Sequence, residues 1–236
     1  MNKIIIYDFD GTLTPFPIPK FEFLEICGLK DGLRNRELNK KVITRSVEKN
    51  ISKYDALYEE IFKYLKENNY ELSDKTFSLG SDTVVYNPGL FEFFEYLINN
   101  NVDNYLLSSG IKVFLKNTKV AKYFKDIYAS TFRYDGEEIV GLDYLMSDIN
   151  KVEAIKDIMR KNNLVDCSNI IYVGDGLTDY YAMEFVTNNN GTSIFVYNEK
   201  NNEHIEKMND VISYCTKADY RLDKDLFKHI KEKCNI

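Results

Sequence analysis

Two aspartates near the start of the chain have side chains suited to nucleophilic and acid–base chemistry. Asp8 and Asp10 follow residues 3–7, a β-branched and apolar run typical of a short buried strand. Their carboxylates would share one face of a regular strand, and Gly11 permits a turn that directs them separately. One carboxylate could then attack phosphorus while the other handles the proton of the leaving group. An ordinary tight turn is the alternative, because Asp and Gly also suit such a bend.

A second pair of acids follows the apolar run 169–173. Asp175 lies between Gly174 and Gly176, and Asp179 comes four residues after it. The two carboxylates would lie on one face of a helix that begins close to Asp175. Oxygen ligands of this kind favour Mg²⁺, which can bridge protein carboxylates and a phosphate. The alternative is that both acids only complement the dipole of the helix.

A small polar segment follows the predicted strand 104–107. Ser108, Ser109 and Gly110 could place a hydroxyl and free backbone N–H groups at the start of a helix, which would form a cradle for an anion. A simple helix N-cap is the alternative interpretation of Ser108.

Lys151 is a cation at a position where a helix is predicted to begin. Asn150 and Glu153 have the spacing of a capping box, so Lys151 would lie in the first helical turn. The helix dipole disfavours a cation there, and a bound phosphate or nearby carboxylates would explain its presence. A solvated lysine that tolerates a few tenths of a kcal/mol is the alternative.

The elements that must position these residues alternate between strand and helix patterns. Strands are predicted at residues 3–7, 104–107, 127–132, 169–173, 193–196 and, more weakly, 211–214. Helices are predicted at 89–100, 111–124, 150–163, 177–187 and 223–232. This alternation predicts an α/β fold with a Rossmann-like, doubly wound parallel sheet, whose ligands bind beyond the carboxyl ends of the strands.

One segment interrupts the alternation. Residues 16–82 contain little strand signal and three helical patterns, at 20–27, 33–50 and 52–68. Pro15, Pro17 and Pro19 stand at its entry, and Pro88 follows its exit, as suits semi-rigid connectors. We therefore predict a core of residues 1–15 and 83–236 and an inserted α-helical cap domain of residues 16–82. A helical layer packed flat on the sheet, without a lid role, is the alternative.

The composition excludes several classes of protein. The 236 residues are 44% hydrophobic and 29% charged, as in a globular protein, and the net charge of −6 argues against a nucleic-acid binder. No segment approaches the roughly 20 apolar residues that cross a bilayer, and we expect no signal peptide. Four scattered cysteines and two histidines offer little for a zinc site or a Ser/His/Asp triad, and we expect reduced thiols in a cytoplasmic protein. The abundant asparagines are interpreted as compositional bias.

The four polar motifs, in their order along the chain, resemble those of the haloacid dehalogenase superfamily of phosphatases. The segment from Asp8 to Thr14 is similar to its first motif, Ser108 to its second, Lys151 to its third, and the segment from Gly174 to Asp179 to its fourth. An insertion between the first and second motifs resembles the helical-cap branch, which includes phosphoserine phosphatase-like enzymes.

This resemblance implies a mechanism and a substrate class. Asp8 would form an aspartyl-phosphate, and Asp10 would act as acid and then as base. Mg²⁺ would be held by Asp8, by the backbone carbonyl of Asp10 and by Asp175, with Asp179 orienting the site. Phosphoryl oxygens would contact Ser108 and Lys151, next to Ser109 and Gly110. The expected partner is a small phosphorylated metabolite, without nucleic acid or membrane, bound by a monomer or homodimer.

Departures from the family pattern argue against phosphoserine as the substrate. Phosphoserine phosphatases usually carry Ser at the position of Gly11, an acid near Phe16, and Asn at the position of Thr178. In the cap, the candidate anion contacts are Lys20, Arg34, Arg36 and Arg45, with solvated helix charges as the alternative. A phosphoryl transferase or mutase with the same intermediate, or a non-catalytic sensor of phosphorylated ligands, is the alternative function.

Overall fold

A seven-stranded sheet forms the centre of the protein. The computed structural model describes residues 2–15, 32–198 and 204–236, without the side chains of residues 32–35 and 54. The strands are β1 (Ile4–Tyr7), β2 (Asp103–Ile111), β3 (Asp126–Asp135), β4 (Glu138–Tyr144), β5 (Ile170–Gly174), β6 (Thr192–Tyr197) and β7 (Tyr214–Lys217). They lie in the order β4-β3-β2-β1-β5-β6-β7, and all neighbours pair in parallel except β3 and β4. The predicted α/β class is confirmed.

Helices cover both faces of this sheet. They are α1 (Gly32–Lys49), α2 (Lys53–Glu67), α3 (Asp74–Phe77), α4 (Leu90–Asn99), α5 (Lys112–Lys116), α6 (Asp148–Lys161), α7 (Tyr180–Asn188), α8 (Ile205–Met208) and α9 (Asp225–Cys234). Of the helices in the described ranges, none combines the length and the apolar character that a membrane crossing needs.

The central strand β1 contributes to two apolar cores, because successive side chains of a strand point to opposite faces. Ile5 and Tyr7 join the core that includes apolar residues of α4 and α9. Ile4 and Ile6 join the core on the other face, which includes apolar residues of α6 and α7. Burial on both faces explains why β1 is apolar at each of its positions.

Helices α2 and α3 pack on the hairpin formed by β3 and β4. Phe132 in β3 lies with its ring centroid 5.8 Å from those of Tyr58 and Phe62 and 4.5 Å from that of Phe77. The N–H of Ile139 in β4 donates to the carbonyl of Leu72 at 2.7 Å. The helices between β1 and α4 therefore share a continuous apolar core with one end of the sheet.

The strand β4 is absent from the sequence prediction, which assumed a purely parallel sheet. Asp135 pairs with Glu138 across a two-residue turn, and Gly136 in that turn has a φ of 59°. A glycine at the first of the two turn residues is typical of a tight hairpin. The local sequence thus carried the information for this antiparallel edge.

The predicted helix at 111–124 is wrong. Strand β2 continues to Ile111, α5 ends at Lys116, and a single 3₁₀ turn follows at Ala121–Tyr123. Side chains compete for the helical carbonyls at this point, since the Asn117 amide donates to the Val113 carbonyl and the Thr118 hydroxyl to the Leu115 carbonyl. The last strand is also displaced, because it spans Tyr214–Lys217 instead of residues 211–214.

Asparagines mark the ends of the longer helices. Each described helix of nine or more residues is followed, one or two residues after its last position, by an asparagine with positive φ. Asparagine is one of the few residues besides glycine that adopts this left-handed conformation readily. These residues are Asn50, Asn69, Asn101, Asn163, Asn190 and Asn235.

Candidate active site

The chain turns sharply where β1 ends, and we call residues 8–14 the Asp8 turn. The N–H of Asp8 still donates to the Val173 carbonyl of β5 at 2.9 Å, after which the N–H of Leu13 donates back to the Phe9 carbonyl at 2.9 Å. Gly11 has a φ of 82°, and a Cβ atom there would collide with the carboxylate of Asp175. The glycine thus lets the turn approach the second pair of acids.

Three carboxylates meet beyond the ends of β1 and β5. Asp8, Asp175 and Asp179 each offer an oxygen, and these atoms lie within 4.8 Å of one another. Asp8 is 6% exposed and Asp179 is fully buried. Asp10 lies half-buried in the turn, and its carboxylate is not a member of this group.

The ammonium of Lys151 lies between two of these carboxylates. Its Nζ donates to Oδ1 of Asp8 at 2.8 Å and to Oδ1 of Asp179 at 2.6 Å, and the side chain is fully buried. Helix α6 begins at Asp148, two residues earlier than predicted, so Lys151 is its fourth residue. The sequence offered two explanations for a cation at this position, a bound phosphate or nearby carboxylates. Carboxylates do lie beside Lys151.

Burial and charge shift the proton affinities of the site. Burial raises the pKa of Asp8 to about 6, while the ammonium of Lys151 lowers it and the carboxylate of Asp179 raises it. Burial by itself would lower the pKa of Lys151, but the charges of Asp179 and Asp8 raise it well above its usual value. Lys151 is therefore a permanent cation at neutral pH, and Asp8 is ionised above pH 6 when the site holds no metal.

The two acids of the fourth motif converge by a route that differs from the prediction. Asp175 precedes the helical segment, which starts as a 3₁₀ turn at Leu177–Asp179 and continues as α7, so the two do not share a helical face. Instead, Oδ2 of Asp179 accepts hydrogen bonds from the backbone N–H groups of Asp175 and Gly176, both at 3.2 Å. The backbone of Asp175 is thus fixed by the carboxylate of Asp179.

Ser108, Ser109 and Gly110 were predicted to lie at the start of a helix. They lie inside β2 instead. Tyr7 pairs with Leu106, so Ser108 lies at the same edge of the sheet as the Asp8 turn. Its hydroxyl is buried and accepts a hydrogen bond from the Gly110 N–H at 3.0 Å. The carbonyl of Ser109 accepts from the hydroxyl of Ser130 at 3.0 Å. The pairing of β2 with β3 shifts register within this segment, which bends the strand beside the site.

The structure describes only some of the four cations predicted to contact an anion. Lys20 and the side chain of Arg34 lie outside the described residues, and Arg36 is exposed. Arg45 in α1 forms ion pairs with Glu59 and Glu60 in α2, the first at 2.9 Å. Arg45 therefore links α1 to α2, and its guanidinium is engaged by these two glutamates.

Several residues that support the site were missed by the sequence interpretation. Tyr172 donates its hydroxyl to Oδ1 of Asp179 at 2.7 Å, and Thr12 donates its hydroxyl to Oδ1 of Asp175 at 3.3 Å. Burial raises the pKa of Tyr172 well above its usual value, so its hydroxyl remains a neutral donor. A tyrosine in a fully buried strand needs a polar partner, and this signal could have identified Tyr172. Asn87 and Tyr220, which also contact the Asp8 turn, carry no comparable signal.

Comparisons with known proteins show the family and the fold of the chain. The family model of haloacid dehalogenase-like hydrolases matches residues 5–184. The curated 2-hydroxy-3-keto-5-methylthiopentenyl-1-phosphate phosphatase of Lysinibacillus sphaericus (strain C3-41) is 28% identical over 195 residues, which cover 77% of this chain and 78% of the relative. An uncharacterised protein of Borreliella burgdorferi is 23% identical and covers 97% of this chain and 95% of its own.

Solved structures of phosphatases share the fold. A phosphoserine phosphatase with an analogue of the phospho-aspartyl intermediate matches 98% of both chains, with a TM-score of 0.64 and 17% identity. A predicted phosphatase from Clostridium acetobutylicum matches 98% of this chain and 99% of its own, with a TM-score of 0.58 and 20% identity. The expected resemblance to phosphoserine phosphatase-like folds is confirmed. The chain therefore belongs to the haloacid dehalogenase-like hydrolase family.

Proposed function

We propose that the protein is a Mg²⁺-dependent phosphatase that hydrolyses a small phosphate monoester through an aspartyl-phosphate on Asp8. The observation that supports this proposal is the convergence of three carboxylates beside the buried ammonium of Lys151. Lys151 contacts Asp8 and Asp179, and oxygens of all three carboxylates lie within 4.8 Å of one another. Such a group of oxygen ligands suits a divalent cation.

The donor set suits Mg²⁺. Its three described side chains offer only carboxylate oxygens, which a hard divalent ion prefers. Asp8, Asp175 and Asp179 would hold the ion, together with the backbone carbonyl of Asp10. When bound, Mg²⁺ supplies positive charge that offsets the repulsion between a carboxylate and a phosphate.

The residues of the site divide the reaction between them. A carboxylate oxygen of Asp8 attacks phosphorus, and the bond from phosphorus to the leaving oxygen breaks. Asp10 gives its proton to that oxygen and then takes a proton from the water that hydrolyses the aspartyl-phosphate. Lys151 and Ser108 offer hydrogen-bond donors to phosphoryl oxygens, while Ser109 and Gly110 shape the edge of the site. Inorganic phosphate leaves and the Asp8 carboxylate is regenerated.

We propose that residues 16–82 form a cap that carries recognition groups for the organic part of the substrate. Both connections of this insertion meet at the Asp8 turn, since the backbone N–H of Asn87 donates to the Leu13 carbonyl at 2.9 Å. Lys20, Arg34 and Arg36 remain candidate contacts, whereas Arg45 is engaged by glutamates. We place the enzyme in the cytoplasm, as a monomer or homodimer.

The substrate that we propose is a phosphorylated metabolite other than phosphoserine. The similar curated phosphatase acts on 2-hydroxy-3-keto-5-methylthiopentenyl-1-phosphate, so a keto sugar-like phosphate is the first class to test. Phosphoserine is expected to be a poor substrate because of Gly11 and Thr178.

The test is release of inorganic phosphate from a panel of sugar phosphates, phosphoamino acids, nucleotides and cofactor phosphates. Asp8→Asn should abolish release with the fold intact, because it removes the nucleophile and almost no volume. Asp166→Asn is the matched control, since Asp166 bonds only to Ser168 and Asn190 in its described contacts and should keep full activity. Release from Asp8→Asn at the wild-type rate would defeat the proposal.

Metal and acceptor dependence provide the second arm. EDTA should remove activity and Mg²⁺ should restore it. Release of phosphate without an added acceptor separates a phosphatase from a transferase or mutase. Full activity of the metal-stripped enzyme would contradict the role of Mg²⁺.

A further inference from the structure

The backbone carbonyl of Thr12 accepts two side-chain hydrogen bonds inside the protein. The amide of Asn87 donates to it at 2.7 Å, and the hydroxyl of Tyr220 donates at 3.0 Å. All three residues are buried, with exposed fractions of 0% for Thr12 and Tyr220 and 7% for Asn87. A carbonyl oxygen has two lone pairs, so this acceptor is fully used.

The two donors come from distant parts of the chain that are held against each other. The N–H of Tyr220 donates to the Pro88 carbonyl at 2.8 Å. A Cβ atom on Gly89 would collide with the backbone of Arg221, so these segments are in close contact. The ring of Tyr220 packs edge-on against Phe93 in α4, with centroids 5.1 Å apart. The amide and the hydroxyl therefore have little freedom to follow a movement of Thr12.

The turn that they hold lies directly against the metal-binding carboxylates. Thr12 donates its hydroxyl to Asp175, and Gly11 is so close to that side chain that no Cβ atom would fit between them. A displacement of the Asp8 turn would thus move Asp175, or separate it from Asp8. The Thr12 carbonyl is one of the points at which the core holds this turn, beside the Leu13 carbonyl, which accepts from the Asn87 N–H.

We propose that Asn87 and Tyr220 are positioning residues, which fix the Asp8 turn against Asp175 through the Thr12 carbonyl. They act on the geometry of the proposed metal site without contacting the metal or the substrate. The inference rests on the proposed function, because the site that they position is the one assigned to Mg²⁺. It adds a connection from the exit of the insertion, at Asn87, to the nucleophile.

Tyr220→Phe tests this inference with the loss of one oxygen atom. The ring keeps its packing on Phe93, and the Thr12 carbonyl keeps the bond from Asn87. The dissociation constant of Mg²⁺ alone, measured by titration calorimetry on the folded protein, should rise about five- to tenfold, the range expected for one buried hydrogen bond. With p-nitrophenyl phosphate as substrate, kcat should fall by a similar factor, while KM should change less than twofold.

Tyr7→Phe is the matched control. Tyr7 is also fully buried, and its hydroxyl donates to Oδ1 of Asn104 at 3.2 Å, away from the Thr12 carbonyl. This variant should lose stability to a similar extent but keep its dissociation constant for Mg²⁺ and its kcat within twofold of the wild type. A general loss of core stability would affect both tyrosine variants alike.

The double variant Tyr220→Phe with Asn87→Leu adds a second criterion. Each single change leaves one donor on the Thr12 carbonyl, whereas the double change leaves a buried acceptor without either. The loss of Mg²⁺ affinity should therefore exceed the product of the two single effects by at least about threefold. Effects that simply multiply would show that the two residues do not act on one acceptor.

The results separate this inference from the proposed function. A Tyr220→Phe variant that binds Mg²⁺ as tightly as Tyr7→Phe would overturn the inference, even if the enzyme is an active phosphatase. A wild-type protein that binds Mg²⁺, shows the predicted losses and releases no phosphate would support the inference and refute the proposed function. If only unfolding is affected, with Mg²⁺ affinity unchanged, both residues are structural and the inference fails.

Discussion

Replacing Lys151 by methionine removes the only cation that contacts both Asp8 and Asp179 in the described structure. The ammonium lies 2.8 Å and 2.6 Å from their oxygens and is fully buried, and methionine fills a similar volume without charge. Two buried carboxylates would then face each other without the cation that lies between them. Breaking a buried ion pair in this way costs about 3–5 kcal/mol of the free energy of unfolding. We expect that loss for the metal-free protein at pH 7.5.

The loss should diminish at lower pH. In the wild type, burial raises the pKa of Asp8 to about 6 and Lys151 holds it down, so the variant should have a still higher value. A folded-state pKa above the unfolded one means that folding takes up a proton at pH values between the two. The resulting stabilisation is fully present below the unfolded-state pKa and is lost as the pH rises through the folded-state pKa. Each additional unit of pKa corresponds to about 1.4 kcal/mol. The variant should therefore approach the wild type between pH 7.5 and pH 5.

Urea unfolding in EDTA at both pH values measures this effect. Lys161→Met is the matched control on the same helix, because Lys161 is half-exposed and pairs with Asp157 at 3.0 Å. An exposed pair contributes at most about 1 kcal/mol, with little change between these pH values. The reasoning is refuted if Lys151→Met loses no more stability than Lys161→Met at pH 7.5, or if its loss is the same at pH 5.

Three further predictions follow from the same geometry. Gly11→Ala should weaken Mg²⁺ binding at least about tenfold in calorimetric titration, because the φ of 82° and the contact with Asp175 both disfavour a side chain; unchanged affinity would contradict it. Tyr172→Phe should lower the free energy of unfolding by about 1–2 kcal/mol in urea, since Asp179 loses a buried donor; a neutral result would contradict it. The dissociation constant of Mg²⁺ should rise as the pH falls below about 6, where Asp8 takes up a proton; a flat profile from pH 7 to pH 5 would contradict it.

The elements that carry the site were predictable from local pattern. The apolar runs that became β1 and β5 are bounded by Asp and Gly, and their types and order are sufficient to place two acidic motifs at one edge of a parallel sheet. Lys151 was identified by an unfavourable position near a helix start, although α6 begins earlier than predicted. In these cases, the residues that determine the strand end or the helix start lie within a few positions of the motif.

The remaining features depend on contacts between distant segments or on overlooked turns. Asn87 and Tyr220 lie 75 and 208 positions from Thr12 in the chain, and neither has a neighbour in sequence that indicates a buried acceptor. The hairpin of β3 and β4 is absent from the prediction even though Gly136 indicates a tight turn. The helix predicted at 111–124 ends early because the side chains of Asn117 and Thr118 donate to backbone carbonyls of its last turn.

The asparagines that follow the longer helices encode where each helix stops. Each positive φ value belongs to a single residue. The position at which a helix ends is therefore determined by the local sequence. Six of the 24 asparagines of the chain thus mark helix ends. Inserting one alanine before Asn163 should then extend α6 by one residue and rotate the loop after it by about 100°, without moving Lys151, which lies three turns upstream.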